Sequence, residues 1–451
     1  MNTLSTDTRQ SSFLLFLLGL GGVTKIFFIG TLALSELVIF PLAPFVFLKN
    51  FSRMKREGFA TFVYMLIMLA FGALVSALWN HSPRTYIIKL LAMFYGFFAY
   101  YIVLYVLLYK NFKGIGWFYF GLIISSIITI WAFNPQADVS STGFGYIGQA
   151  DVETVVTHQL FWVNKVRGLG QLPIFAAYLK TPLMYSLFMP IAFVAFTMLS
   201  TVSGRAQSLC VIMGFVMIAI GRKSRLRMRG IGRHFMKFAV LGVIALFCYK
   251  FTYSYAASHG YLGEVARNKY ERQTTKGSSA LNLLMAGRRE FFVALFAIMD
   301  HPIIGFGPRA EDSEGYTQRF LIKYGADNED AEYLRDLQYC FANGITPPIP
   351  THSYIMSLWV WCGIVGLIFF IWVFYLVFMH LKHYADAIPQ WYGYYALTIP
   401  SMVWSSFFNP FGDRHGFALF ILTLCFARAV AKKRMNLPWE LELEARHYDM
   451  T

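Results

Sequence analysis

Charge is what this chain has least of. Asp, Glu, Lys and Arg make up 14% of its 451 residues, where a soluble protein carries about a quarter. That shortage excludes an ordinary water-soluble globule. Cysteine is scarce as well. Of five, Cys210, Cys248, Cys362 and Cys425 lie in apolar runs and only Cys340 in a polar stretch, so no disulfide framework is implied. There is no CxxC, HExxH or other metal-ligand spacing. No cleavable leader is evident, because the first apolar run leads straight into another. The strand alternation of a membrane barrel is missing too.

What the sequence has in excess is apolar surface, at 57% hydrophobic and 18% aromatic residues and a mean hydropathy of +0.50. Apolar runs at 12–30, 32–48, 59–79, 87–108, 115–133, 183–202, 205–221, 238–255, 355–379, 391–407 and 416–431 are close to the ~20 residues that cross a bilayer. The chain therefore reads as an all-α polytopic membrane protein, one membrane-embedded domain over 1–451 with about 11–12 transmembrane helices. Two polar stretches interrupt it. One, 134–182, is a loop or broken-helix region; the other, 258–351, is large enough for a small subdomain.

The net charge of +15 is a matter of topology, not of nucleic acid. Basic residues gather between spans: Lys49, Arg53, Lys55 and Arg56; Lys110 and Lys113; the run from Arg222 to Lys237; and Lys432, Lys433 and Arg434. The positive-inside rule makes those segments cytoplasmic. The 258–351 stretch, the start of the 355–379 run and the short "NPFGDRHG" loop then share the outer face. Parity between Lys110 and Arg222 requires one more crossing than the clear spans supply. The interrupted segment "VRGLGQLPIFAAYLK" is the expected place for it, since broken helices persist where protein or a wet cavity satisfies their backbone.

Arginines mark the outer face. Arg205 sits in "TVSGRAQS" between two apolar runs, Arg288 and Arg289 in "MAGRREFF", Arg167 in the broken segment, and Arg309 after "HPIIGFGP". A guanidinium near hydrocarbon needs a cavity or a partner, and its fork matches phosphate oxygens. Several at one depth suit a phosphate or diphosphate headgroup. Arg309, Arg319 and Arg335 read as solvated surface charges. Arg167 and Arg289 read equally well as surface or site. Arg205 and Arg288 read as functional, an idle arginine at a tight turn being costly.

His352, in "PTHSYIMSLWVWCGIVG", has two readings on the same footing: an interfacial residue anchoring a helix end, or a base whose imidazole takes a proton from a hydroxyl. Ser353 is placed to cap the helix that follows. His301 is the lesser candidate base, preceding a proline further from any span.

In this order, "SGR", "GRREFFVALFAIMDHPIIGFGP" and "THSYIMSLWVWCGIVG" resemble the motifs of the O-antigen ligase and Wzy-type O-antigen polymerase superfamily. The family pattern is SRG, then GR…W…hPl.GxG, then H-[NSQ]-x9-G-x-x-G. His352, Ser353, Gly363 and Gly366 fit every fixed position of the last, while the first reads Ser-Gly-Arg in place of Ser-Arg-Gly. The resemblance covers about residues 165–380.

It implies a GT-C-like, inverting, metal-independent glycosyltransferase of the bacterial inner membrane with its site facing the periplasm and no cofactor. The donor would be a glycan on undecaprenyl diphosphate. Arg205 and Arg288, with Arg289 and Arg167, would hold the diphosphate, and His352 would accept the proton of the attacking hydroxyl. A polymerase takes a lipid-linked repeat unit as acceptor and works with a chain-length regulator; a ligase takes lipid A-core. The long, charged 310–350 region favours the polymerase. A lipid-linked oligosaccharide flippase is the rival from another class, disfavoured because the span centres look nearly free of charge.

Overall fold

The computed structural model describes residues 3–23, 25–27, 31–109, 111–132, 289–308, 310–324, 346–351, 353–384, 387–388, 391–409, 411 and 414–435, with Gly214 and scattered positions within 251–271 and 334–343. In chain order the elements are α1 (Thr3–Val23), β1 (Lys25–Phe27), β2 (Thr31–Ala33), α2 (Leu34–Glu57), α3 (Ala60–Trp79), α4 (Arg84–Leu108) and α5 (Ile115–Ala132). After these come α6 (Arg289–Asp300), α7 (Tyr316–Tyr324), α8 (Tyr354–Cys362), α9 (Ile364–Met379), α10 (Tyr392–Phe408) and α11 (Arg414–Met435). Among the described residues the architecture is helical apart from the antiparallel β1–β2 hairpin, which pairs Ile26 with Leu32.

Among the described residues, five helical segments are long and apolar enough to cross a membrane: Leu34–Glu57, Ala60–Trp79, Arg84–Leu108, Ile364–Tyr384 and Arg414–Lys433. Their outward faces carry Phe45, Leu48, Ile67, Phe71, Ile88, Ile371 and Phe378, all exposed. Water would not tolerate so continuous an apolar jacket; hydrocarbon requires it.

Local chemistry sets the helix ends. Gly58 closes α2 with φ 85, its N–H returning to Lys55 and Met54 carbonyls. Lys55 and Arg56 occupy the last turn of α2, where cations suit the helix dipole. Beyond Gly58, the Tyr101 hydroxyl donates to the Phe59 carbonyl at 3.0 Å and Tyr109 to Glu57 at 2.7 Å. At the same end Trp391 donates to the Phe112 carbonyl at 2.9 Å. Phe426 packs there against Phe59, Tyr105, Phe112 and Trp391. This end of the bundle, with Lys55, Arg56, Lys113, Lys432 and Lys433 about it, is its basic end. The α3–α4 turn marks the far end.

The expected spans 183–202, 205–221 and 238–255 lie, but for scattered positions, outside the described residues; of the others, two differ in the structure. The 12–30 run does not stay helical: α1 ends at Val23, and the next residues form the hairpin that returns the chain to α2. The 355–379 run is not one helix either. At Gly363 the backbone takes φ 61 and ψ −149, and a Cβ on Gly366 would collide with the Leu358 carbonyl. In a continuous helix those residues lie two turns apart. The chain therefore doubles back, and α8 and α9 form a helical hairpin.

Candidate functional site at the start of a folded-back helix

Folding back changes where α8 begins. Tyr354 packs on Phe411 at 5.0 Å and Phe417 at 6.1 Å, and Phe370 touches the same two rings. The start of α8 thus lies level with the second turn of α9, inside the bundle. Ser353 is wholly buried and Tyr354 nearly so. Reading this helix start as the water–lipid border is corrected accordingly: its first residues are enclosed by α9, α10 and α11.

The backbone there is fixed on both sides of position 352. Before it, the Thr351 carbonyl accepts from the Ser357 hydroxyl at 2.9 Å. After it, the Ser353 hydroxyl donates to the Ser406 carbonyl of α10 at 2.8 Å and accepts from Met356 N at 3.2 Å. Ser353 is the expected cap, and it is also a tie to a second helix. The approach is held as well: Ile349 N donates to the Ala310 carbonyl and Asp312 N to Pro347, each at 2.7 Å. Asp312 is wholly buried. Its carboxylate accepts from Tyr316 N at 2.6 Å and Thr317 N at 2.9 Å, capping α7.

"HPIIGFGP" seats directly on the hairpin. Phe306 N donates to the Val360 carbonyl at 2.7 Å, and Ile364 N to Ile303 at 2.9 Å. Trp359 Nε1 donates to Pro302 at 2.8 Å. A side chain on Gly363 would run into the Ile303 carbonyl. From the far end of α3, Asn80 donates to the Gly305 carbonyl at 3.1 Å. Two stretches distant in sequence are thus one interlocked unit at the far end of the bundle.

His301, in that loop, lies 3.2 Å from Glu314, which also accepts from the Tyr316 hydroxyl at 3.0 Å. Hydrogen bonds from His301 and Tyr316 pull the Glu314 carboxyl below its ordinary range. Burial, then Glu314 itself, hold the Tyr316 hydroxyl well above its usual value. The sequence offered His301 only as a lone ring; its acidic partner became visible in the fold.

Of the other candidates, His352, Arg205, Arg288, Arg167 and Arg309 lie outside the described residues. Arg289 opens α6, whose Val293, Ala294, Ala297 and Ile298 are buried in the cluster that includes Met356 and Val360 of α8. Among the described residues no group of three or more His, Cys, Asp or Glu could hold a metal ion. The shallow pocket lined by Tyr375, Met379, Leu424 and Arg428 lies on the basic-end side of α9 and α11, away from Ser353.

The sequence also missed a buried ion pair. Glu36, 1% exposed, accepts from Ala33 N at 2.9 Å through Oε2; its Oε1 lies 3.2 Å from Arg414 Nη1. An ion pair from the first turns of α2 and α11 thus lies against Gly96, midway along α4. Glu36 lay within a predicted span and Arg414 in a short predicted loop, and nothing local linked them.

Comparisons with known protein families, with curated proteins and with solved structures return no match. Fold and surface define the class to which the chain belongs: a helical, membrane-embedded protein.

Proposed function

We propose that this protein is an inverting, metal-independent membrane glycosyltransferase of the GT-C-like class, transferring a glycan from undecaprenyl diphosphate to a sugar hydroxyl. Within that class the reading is repeat-unit polymerase. The observation that carries it is the two-sided anchoring of the chain around position 352 by Ser357, Ser353 and Ser406. A base must be held in place to meet its proton, and its neighbours Thr351 and Ser353 are both tied. Arg205 and Arg288 would bind the diphosphate with Arg289 and Arg167, stabilising charge on the leaving group by fixed guanidinium dipoles and charge. His352 would accept the acceptor's proton. The basic end would face the cytoplasm of a bacterial inner membrane, with the "HPIIGFGP" unit toward the periplasm.

Reconstitution with purified lipid-linked repeat units, with and without lipid A-core, tests the reading. A ladder of longer lipid-linked products without core is the expected outcome; product only with core makes the enzyme a ligase. The Glu36–Arg414 pair favours a transporter instead, since transporters place charge at mid-depth. Movement of the donor across vesicles with no glycosidic bond formed would establish that. His352→Ala should lower transfer at least about a hundredfold while donor binding persists. Undiminished turnover in that variant removes the base.

A further inference from the structure

We infer that Arg414, held in place by Glu36, is a further cationic contact for the donor's diphosphate, set within the membrane-spanning bundle. The inference rests on the lipid-diphosphate donor proposed above and names a residue that the motifs do not include.

Depth is the first argument. From Phe426, at the basic end, to Arg414 is about 18 Å along α11, and from Gly96, which Arg414 touches, to Arg84 is about 18 Å along α4. The pair therefore lies near the middle of a hydrocarbon core about 30 Å thick. An ionisable residue at that depth is expensive and marks function by default.

The slot built for Arg414 is the second. Its side chain runs along α4 at Gly96, where a Cβ would come within 2.6 Å of Cδ. Below it His415 packs between the rings of Tyr100 and Phe118, and Tyr100 shares a 2.7 Å hydrogen bond with Ser35. The α2 carboxylate and the α4 backbone thus hold the guanidinium, while α4 and α5 hold the His415 ring beside it.

Exposure is the third. The Glu36 side chain is 2% exposed and that of Arg414 is 20%. The carboxylate is sealed and the cation opens onto accessible space. A bolt between α2 and α11 needs no such asymmetry. A ligand site for an anion does, because a carboxylate on the buried side orients the guanidinium while the cation stands between it and the ligand.

Position is the fourth. Phe411 and Phe417, on either side of Arg414 in the chain, are the residues on which Tyr354 packs. The start of α8, directly after position 352, is therefore next to the start of α11. The N-terminal end of α8 adds its own positive potential there.

The test is binding of undecaprenyl diphosphate, with undecaprenol as the control for the tail, to the full-length protein in lipid nanodiscs. Two variants separate a contact from a bolt. Arg414→Lys keeps the charge and the Glu36 pair but loses the fork. Glu36→Gln with Arg414→Met removes the pair without leaving a buried charge, and Gln still accepts from Ala33 N. Such neutral replacements of buried pairs are commonly tolerated.

Both variants should bind the diphosphate at least about tenfold more weakly, bind undecaprenol like wild type, and melt near the wild-type temperature. Wild-type diphosphate affinity in the double variant overturns the inference and leaves the pair a bolt. If the double variant does not fold, Arg414→Lys decides, and unchanged diphosphate affinity there overturns it. Wild-type protein that binds undecaprenol but not the diphosphate removes the donor reading and this contact with it. Weakened binding in the variants alongside a wild type that forms no glycosidic bond keeps the contact and discards the transferase.

Discussion

Ser353 ties two helices with one hydroxyl. It caps α8 through Met356 N and reaches the α10 carbonyl of Ser406. Replacing it with Ala leaves a buried carbonyl and a helix N-terminus without their partner, a loss of about 1–3 kcal/mol. The melting temperature in detergent should fall, and glycan transfer should fall further than stability alone requires, because the tie adjoins position 352. Ser353→Thr keeps the hydroxyl and should recover part of both. Glu314 is the other residue with a measurable signature. Its carboxyl is lowered by His301 and Tyr316, so its stabilising contribution is complete above the ordinary glutamate value and is lost as pH falls through the lowered one. Amide exchange at His301–Phe306 should rise in that acid window, and Glu314→Gln should flatten the dependence. The capping role of Ser353 was legible beforehand, since a serine between a loop and an apolar run is a common signal. Its bond to Ser406 was not, because nothing local in "SSFFNP" announces a partner.

Gly363 decides what α8 and α9 are. With φ 61 and ψ −149 it occupies backbone space that side chains avoid at about 1–3 kcal/mol, and a Cβ would also meet Ile303. Gly363→Ala should therefore destabilise the protein by at least about 2 kcal/mol. The break should show as faster exchange at Phe306 and Ile364, whose amides cross that interface. Unchanged exchange there would mean that the hairpin does not depend on this turn. Hydropathy alone located α3, α4, α5, α10 and α11 to within a few residues. It failed at 355–379, where an unbroken apolar run looks the same whether it goes straight or folds back. It failed at 12–30 for the same reason, "KIFFIGTLALSEL" being apolar through both strands of the hairpin. Periodicity reports which face is buried and is silent on direction.

Sidedness belongs to the whole bundle. Single cysteines at Arg56 and Arg84, both exposed, sit at opposite ends of the α3–α4 pair. In sealed inside-out and right-side-out vesicles an impermeant thiol reagent should label them from opposite sides, Arg56→Cys from the cytoplasm. Labelling of both from one side would break the membrane placement. A third cysteine at Thr201, outside the described residues, reports the parity of the 134–205 region. Charge statistics made the general orientation legible, because the basic clusters recur at alternate loops. The convergence of α2, α4 and α11 at Arg414 was not, since long-range pairing leaves no trace in a single sequence.

One consequence concerns traffic. The rings about Phe426 come from α4 and from the segments preceding α3, α5 and α10. Phe59, Tyr105, Trp391 and Phe426 are buried to within a few per cent. They form a plug, and dense aromatic packing of that kind leaves no room for a wetted path. A hydrophilic molecule that reaches Arg414 past the described helices would therefore arrive from the far side or laterally out of the bilayer, and would leave the same way. The described helices make a cul-de-sac, not a corridor.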